Sequence, residues 1–152
     1  MRKVSLLLVC VSLLGGVVVA QEHWTEGPVW ACSSYRTKPG QFDNYLEYLR
    51  KNYAVTAPEE KKAGLVLDSK IFVKSPATPD DWDVLICDLY PSYGKAMDYS
   101  AEDDAKGKEI AAAHFKTSDE DQQEQMSNPR FEMRDYLGTD FVREVNLKPI
   151  AK

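Results

Sequence analysis

The residues of this chain best suited to chemistry are one histidine and two charged groups set inside apolar segments. His114 lies in AAAHFK beside a hydrophobic stripe, where it could act as an acid–base group or an axial ligand. A partly exposed histidine near a helix end, with no chemical task, is the alternative interpretation. In the predicted strands, Asp88 and Arg143 each lie on the same face as apolar residues two positions away. Because a charge in such a segment needs a partner or a water-filled cavity, both are candidates for lining a pocket; a strand end or a dimer interface is the structural alternative.

Aromatic side chains form a second group of candidates, since they could line a cavity for a flat apolar ligand. The same spacing is also typical of an ordinary core. The aromatic candidates are Tyr35, Tyr45, Tyr48, Tyr90, Trp30 and Trp82. Taken together, the predicted ligand-pocket residues are Tyr35, Tyr45, Asp88, Tyr90, His114 and Arg143.

Other kinds of site are not indicated, and we assign no catalytic residue. The chain contains no Ser-His-Asp order, phosphate-binding glycine loop or dinucleotide fingerprint. His23 and His114 are far apart and have no cysteine or histidine at ligand spacing, so we predict neither a metal site nor a cofactor. The acidic runs 102–104 and 119–121 are typical of solvated helix faces.

The N-terminus has the pattern of an export signal. Arg2 and Lys3 precede an apolar run that ends with small residues at Val18 and Ala20. The run is shorter than the ~20 residues that cross a bilayer, so we expect cleavage after Ala20 and no membrane span afterwards. The predicted organisation is a signal peptide at 1–20, a lead-in segment at 21–28, one domain at 29–149 and a tail at 150–152. The expected location is periplasmic or extracellular.

The net charge of the chain argues against polyanionic partners. Loss of Arg2 and Lys3 with the signal changes the formal charge from −5 to −7. An acidic surface without a basic patch argues against binding of nucleic acid or anionic lipid.

Hydrophobic spacing divides the rest of the chain into strands and helices. Residues 42–53 place their apolar side chains at helical spacing, whereas 82–90 is apolar on both parities, as in a strand buried on both faces. The predicted strands are 29–36, 65–73, 82–90, 131–137 and 141–147. The predicted helical regions are 42–53, 58–63, 92–115 with an interruption around 101–108, and a helix that starts with a capping box at Ser118 and Asp121 and ends before Asn128.

This order predicts an α+β, ferredoxin-like fold, with an antiparallel sheet of four to five strands and helices on one face. Because 82–90 is apolar on both parities, the uncovered face should also be buried. The simplest partner is a second copy of the same sheet, which would make the protein a homodimer with a dimeric α/β barrel.

Several segments resemble secreted bacterial members of the dimeric α/β-barrel superfamily. They are KPGQF at 38–42 leading into the Tyr45-Leu46 helix, AGL at 63–65, DWDVL at 81–85, and VRE at 142–144 before LKP at 147–149. The resemblance implies relatives that include cofactor-independent monooxygenases, haem-handling enzymes and small stress-response proteins. Because these segments are turns and strand starts, they indicate the fold and do not select an activity.

Two cysteines, Cys32 and Cys87, remain after the expected cleavage in a chain bound for an oxidising compartment. In the ferredoxin-like order the first and third strands are antiparallel neighbours, which could bring Cys32 opposite Cys87 and allow a disulfide. Two small buried hydrophobic residues are the alternative.

The function expected from these features is the binding of a small apolar or aromatic ligand between sheet and helices. The alternatives are a cofactor-independent monooxygenase acting on an aromatic substrate, with His114 or Asp88 as the base, and a haem-binding protein.

Overall fold

The computed structural model describes residues 23–150. The predicted signal peptide lies outside the described residues. The described elements are β1 (Trp24–Thr37), α1 (Phe42–Lys51), α2 (Tyr53–Lys62), β2 (Asp68–Val73), β3 (Val84–Tyr90), α3 (Tyr93–Met97), α4 (Ala101–Phe115), α5 (Glu120–Ser127), α6 (Pro129–Met133) and β4 (Arg134–Leu147). No helix among these residues is long and apolar enough to cross a bilayer.

The four strands form one antiparallel sheet in the order β2-β3-β1-β4. This α+β arrangement is compatible with the predicted ferredoxin-like fold. β1 and β3, the apolar strands of the sequence, occupy the centre, while β2 and β4 form the edges. The central position agrees with their content of β-branched, aromatic and small residues.

The two faces of the sheet differ because side chains alternate along each strand. Ser33, Tyr35, Ile86 and Asp88 project toward the helices. We call the opposite side the open face. It is formed by Trp30, Cys32, Ser34, Lys70, Phe72, Leu85, Cys87, Leu89, Asp140, Val142 and Glu144.

The main core lies between α1 and the sheet. Tyr45 and Leu49 of α1 are buried against Val84 of β3. The apolar stripe of α1 therefore covers one end of the helix-facing side, and its burial removes apolar area worth about 25 cal/mol per Å² from water.

The helix predicted at 42–53 breaks at Asn52, and α2 continues it to Lys62. The Asn52 side chain explains the local geometry, because Nδ2 donates to the carbonyl of Tyr48 at 2.8 Å. α2 also absorbs the helical segment predicted from Pro58, so that Pro58 lies inside the helix instead of starting one.

The interruption predicted around 101–108 lies instead at 98–100, between α3 and α4, and residues 101–108 are within α4. Ser100 caps the helix by accepting a hydrogen bond from the backbone N–H of Asp103, and three acidic residues occupy the first turn, where the helix dipole favours negative charge. Lys106 reaches Glu102 at 2.7 Å and Lys108 reaches Asp104 at 3.4 Å. The charge run is therefore compatible with a continuous helix.

The prediction of two C-terminal strands is wrong. Residues 129–133 form the short helix α6, which Pro129 starts at a position that needs no N–H donor. A single strand, β4, then runs from Arg134 to Leu147. Gly138 (φ 146°) does not end this strand but lies at an irregularity in its pairing with β1, where Leu137 is the extra residue.

β1 also starts earlier than predicted, at Trp24, because residues of the expected lead-in pair with the end of β4. Near the centre of the sheet, Cys32 lies directly opposite Cys87 on the open face, and the two sulfurs form a disulfide.

Candidate functional site

A cavity of about 720 Å³ lies between the sheet and the helices. Its floor is formed by Ser33 and Tyr35 of β1 and by Ile86 and Asp88 of β3. α1 and α2 form one wall, whereas α4, α5 and α6 form the other. The volume falls in the range of small-molecule binding sites.

One end of the cavity is cationic and aromatic, and we call it the arginine end. Arg130 comes from α6, and Arg134 is the first residue of β4. The guanidinium of Arg134 lies over the ring of Tyr35, 3.6 Å from its centroid, and 5.2 Å from that of Tyr45. Tyr45 in turn stacks on Tyr48 with centroids 6.3 Å apart.

Three polar atoms at this end are buried without a hydrogen-bond partner among the described residues. They are Nε of Arg130, Nε of Arg134 and the hydroxyl of Tyr45. Burial also raises the pKa of Tyr45 above its ordinary range, although the charge of Arg134 partly opposes this shift. Tyr45 is therefore a neutral hydroxyl that can donate a hydrogen bond at neutral pH.

The opposite end carries two carboxylates, and we call it the acidic end. Oδ1 of Asp88 accepts hydrogen bonds from the Tyr53 hydroxyl at 2.7 Å and from Oγ of Ser69 at 2.6 Å. Glu60 also lines this end, where burial and then the negative charge of Asp88 raise its carboxyl pKa. Burial likewise raises the pKa of the Tyr53 hydroxyl.

His114 of α4 lies between the two ends, and its ring is oriented by Asn52, the residue between α1 and α2. Nε2 of His114 is 2.9 Å from Oδ1 of Asn52, whose amide nitrogen is held by the Tyr48 carbonyl. Since Oδ1 can only accept, Nε2 must carry the proton, which leaves Nδ1 as the acceptor of a neutral ring. The ring packs edge-on against Phe115, with centroids 4.7 Å apart.

An ion-pair link joins the helices of the second wall. Lys108 of α4 pairs with Glu120 of α5 at 2.9 Å, and both residues line the cavity. The charged run of α4 therefore contributes to the cavity wall as well as to the helix.

Four of the six predicted pocket residues line the cavity: Tyr35, Tyr45, Asp88 and His114. Tyr90 and Arg143 do not line it. Tyr90 is close enough to the acidic end that burial, followed by Asp88 and Glu60, raises its pKa to about 12. Arg143 instead forms an ion pair with Glu26, and its guanidinium lies 4.6 Å from the ring centroid of Tyr93.

Sequence reasoning missed the arginines and the partners of Asp88. The residues missed are Asn52, Tyr53, Glu60, Ser69, Arg130 and Arg134. The assignment of 131–137 to a strand gave no reason to place Arg130 and Arg134 together in a pocket. The signal that could have found them is their four-residue spacing after Asn128-Pro129, since a helical turn brings residues four apart to one side.

Within residues 23–150, no three histidine, cysteine or acidic side chains are grouped as metal ligands. Comparison of the chain with protein-family models, with curated proteins and with solved structures gave no significant match.

Proposed function

We propose that this protein binds a small aromatic ligand in the cavity between the sheet and the helices. The observation that carries the proposal is a cavity of about 720 Å³ that is lined by four tyrosines and Phe115. Flat rings can stack on or meet the edges of these side chains, while the polar groups at the two ends fix the orientation.

Calorimetric titration with the uncharged probe naphthalene-2-carboxamide tests this function. We expect saturable binding at one site per chain. Ala111→Phe places a large side chain on the cavity wall and should weaken binding at least about tenfold, because it competes for the volume that the ring needs.

Ala105→Phe is the matched control, since Ala105 is an exposed residue of the same helix and does not line the cavity. This variant should bind the probe as the wild type does. Equal binding by all three proteins would place the ligand elsewhere, and the absence of binding at millimolar probe would refute the proposed function.

A cofactor-independent oxygenase is the second candidate, and the orientation of His114 favours it. With Nε2 held by Asn52, the Nδ1 atom of a neutral ring can accept the proton of a phenol or hydroquinone, which would make the substrate electron-rich enough to react with oxygen. Oxygen uptake with a panel of hydroquinones checks this candidate. Uptake by the wild type that His114→Ala abolishes would support it, whereas no uptake by the wild type would exclude these substrates.

Haem binding, the other alternative, has no comparable support, because Nε2 of His114 is already hydrogen bonded to Asn52. A haem titration that leaves the Soret band unshifted would remove it.

The proposed molecule is an exported homodimer that belongs to the dimeric α/β-barrel superfamily. The open face supports pairing, since Phe72 and Val142 are 46% and 50% exposed and lie beside Trp30, Leu85 and Leu89. Sedimentation at micromolar concentration should give twice the chain mass, and Phe72→Glu with Val142→Glu should give the monomer. A wild-type monomer would refute the pairing.

Export predicts a mature N-terminus at Gln21, which N-terminal sequencing of the secreted protein checks.

A further inference from the structure

We propose that the arginine end of the cavity is a carboxylate-binding site, so that the ligand is a planar aromatic carboxylate. This inference rests on the proposed function, because it specifies the chemical class of the ligand that the cavity takes. It concerns three residues from three different elements, Arg130, Arg134 and Tyr45.

The first argument is the set of donors at this end. Arg130 and Arg134 each have a buried Nε with no hydrogen-bond partner in the described part of the chain, and the Tyr45 hydroxyl is in the same condition. All three residues line the cavity. Buried donors without acceptors are unfavourable, and two guanidinium groups with one hydroxyl are complementary to the two oxygens of a carboxylate.

The second argument compares Arg130 and Arg134 with another arginine, Arg143, and with the net charge of the chain. Arg143, which lies outside the cavity, has its charge balanced by Glu26. The chain as a whole carries a formal charge of −5. Two arginines facing one cavity in an acidic protein therefore form a local positive field that attracts an anion.

The third argument is the polarity of the cavity. Four acidic residues line the cavity: Glu60 and Asp88 form the acidic end, Glu120 is paired with Lys108, and Glu124 is exposed to solvent. The arginine end is therefore the most favourable position for an anionic group.

The spacing along β1 gives the distance between the two ends. Tyr35 lies at the arginine end, and Ala31 is paired with Asp88 of the acidic end. These residues are four apart, which corresponds to about 14 Å at 3.4 Å per residue. A ring of one or two fused units bearing a carboxylate fits between the two ends, with its other edge toward Tyr53 and Asp88.

Planarity follows from the aromatic setting of Arg134. The guanidinium carbon lies over the Tyr35 ring, 3.6 Å from its centroid, and this contact restricts the orientation of the N–H groups. A carboxylate conjugated with an aromatic ring lies in the plane of that ring, so that one flat molecule can meet the fork of Arg134 and remain in contact with the tyrosines.

Calorimetry with two probes of nearly the same shape tests the inference. 2-Naphthoate carries the carboxylate, whereas naphthalene-2-carboxamide is uncharged. We expect the wild-type protein to bind 2-naphthoate at least about tenfold more tightly, since hydrogen bonds to charged groups are the stronger ones. Arg130→Gln and Arg134→Gln should each remove most of this preference, so that the ratio of the dissociation constants of the two probes approaches one.

Arg143→Gln is the matched control, because Arg143 also has a buried, unpartnered Nε but does not line the cavity. It should keep the preference for the carboxylate. Arg134→Lys retains the charge without the planar fork and should give an intermediate preference.

The outcomes separate the two proposals. Equal affinity of the wild type for both probes would overturn the carboxylate site and leave the aromatic cavity standing. Binding of neither probe would overturn both. A preference that persists in Arg130→Gln and Arg134→Gln would place carboxylate recognition elsewhere in the chain and overturn the assignment to the arginine end. The comparison of probes on the wild type needs no variant, so a variant that fails to fold does not remove the test.

Discussion

Tyr45 and Tyr53 are both tyrosines of the cavity, but their hydroxyls are in opposite situations. The hydroxyl of Tyr45 is buried without a partner in the described structure, whereas that of Tyr53 donates to Asp88 at 2.7 Å. Tyr45→Phe should therefore leave the free energy of unfolding unchanged or raise it by up to about 1 kcal/mol, since it removes an unsatisfied polar group. Tyr53→Phe should lower it by about 1 kcal/mol.

Urea unfolding of the two variants measures this difference. Each substitution removes one oxygen atom from a tyrosine of the same wall, so that each variant controls for the other. Equal losses of stability would mean that the Tyr45 hydroxyl has a partner in solution. In addition, Tyr45→Phe should weaken 2-naphthoate binding even where it stabilises the protein.

Glu60 predicts a pH dependence of stability. Burial and Asp88 raise its carboxyl pKa above the ordinary value of 4.5, so the folded state retains a proton that the unfolded state loses as the pH rises. The free energy of unfolding should therefore decrease from pH 4.5 upward. Glu60→Gln should remove this decrease, making the variant more stable than wild type at pH 8 by less than about 1 kcal/mol, because the site is only partly buried.

Glu59→Gln provides the control for this measurement. Glu59 is the exposed neighbour on α2 and pairs with Lys62 at 3.6 Å. Denaturant unfolding from pH 4.5 to 8 should give this variant the same slope as the wild type. A steeper slope in Glu60→Gln than in wild type would contradict the assignment.

At the scale of single elements, α5 provides a direct test of helix capping. The capping box predicted at Ser118 is displaced by one residue, because Asp119 is the N-cap and accepts the backbone N–H of Gln122 at 3.1 Å. Asp119→Ala should destabilise the protein by about 1 kcal/mol. Ser118→Ala should change stability by no more than a few tenths of a kcal/mol. Thermal unfolding of the pair decides between the two positions, and a larger effect at Ser118 would restore the original assignment.

The elements that could be predicted from the sequence are those with a strong, uninterrupted period. α1 has apolar residues at 42, 45, 46 and 49 and one buried stripe, and it begins at the expected residue. Residues 101–108 and 129–137 lack such a stripe, because caps and ion pairs stabilise the first and a proline-started helical turn begins the second. Hydrophobic periodicity alone does not predict these local contacts.

For the cavity, the sequence identified residues by strand parity and could not identify those that depend on how helices meet the sheet. Asp88 and Tyr35 follow from alternation along β3 and β1. Glu60 and Arg130 reach the same space only because α2 and α6 lie beside the cavity. Their approach depends on the angles of helices whose individual patterns carry no information about one another.

At the scale of the whole molecule, the Cys32–Cys87 bond ties the two central strands across a sequence separation of 55 residues. Closing a loop of this length restricts the unfolded chain and typically stabilises a protein by about 2–4 kcal/mol. Cys32→Ala with Cys87→Ala should lower the free energy of unfolding by this amount, and reduction of the wild type should have the same effect.

Thiol titration of the denatured, unreduced mature protein provides the chemical check and should find no free thiol. Two free thiols would refute the bond. Because the disulfide lies on the open face, the double variant should keep its affinity for naphthalene-2-carboxamide within about twofold at a temperature where it is folded.

The pairing of β1 with β4 brings the two ends of the described domain together. Trp24 is paired with Leu147, and the backbone N–H of Lys148 donates to the carbonyl of His23 at 2.8 Å. A short linker could therefore join these ends, and new termini could be opened in the exposed segment 77–80, which contributes no residue to the cavity. Such a circular permutant would keep every strand pair, and the same proximity would let the domain be inserted as a sensor into a surface loop of a carrier protein.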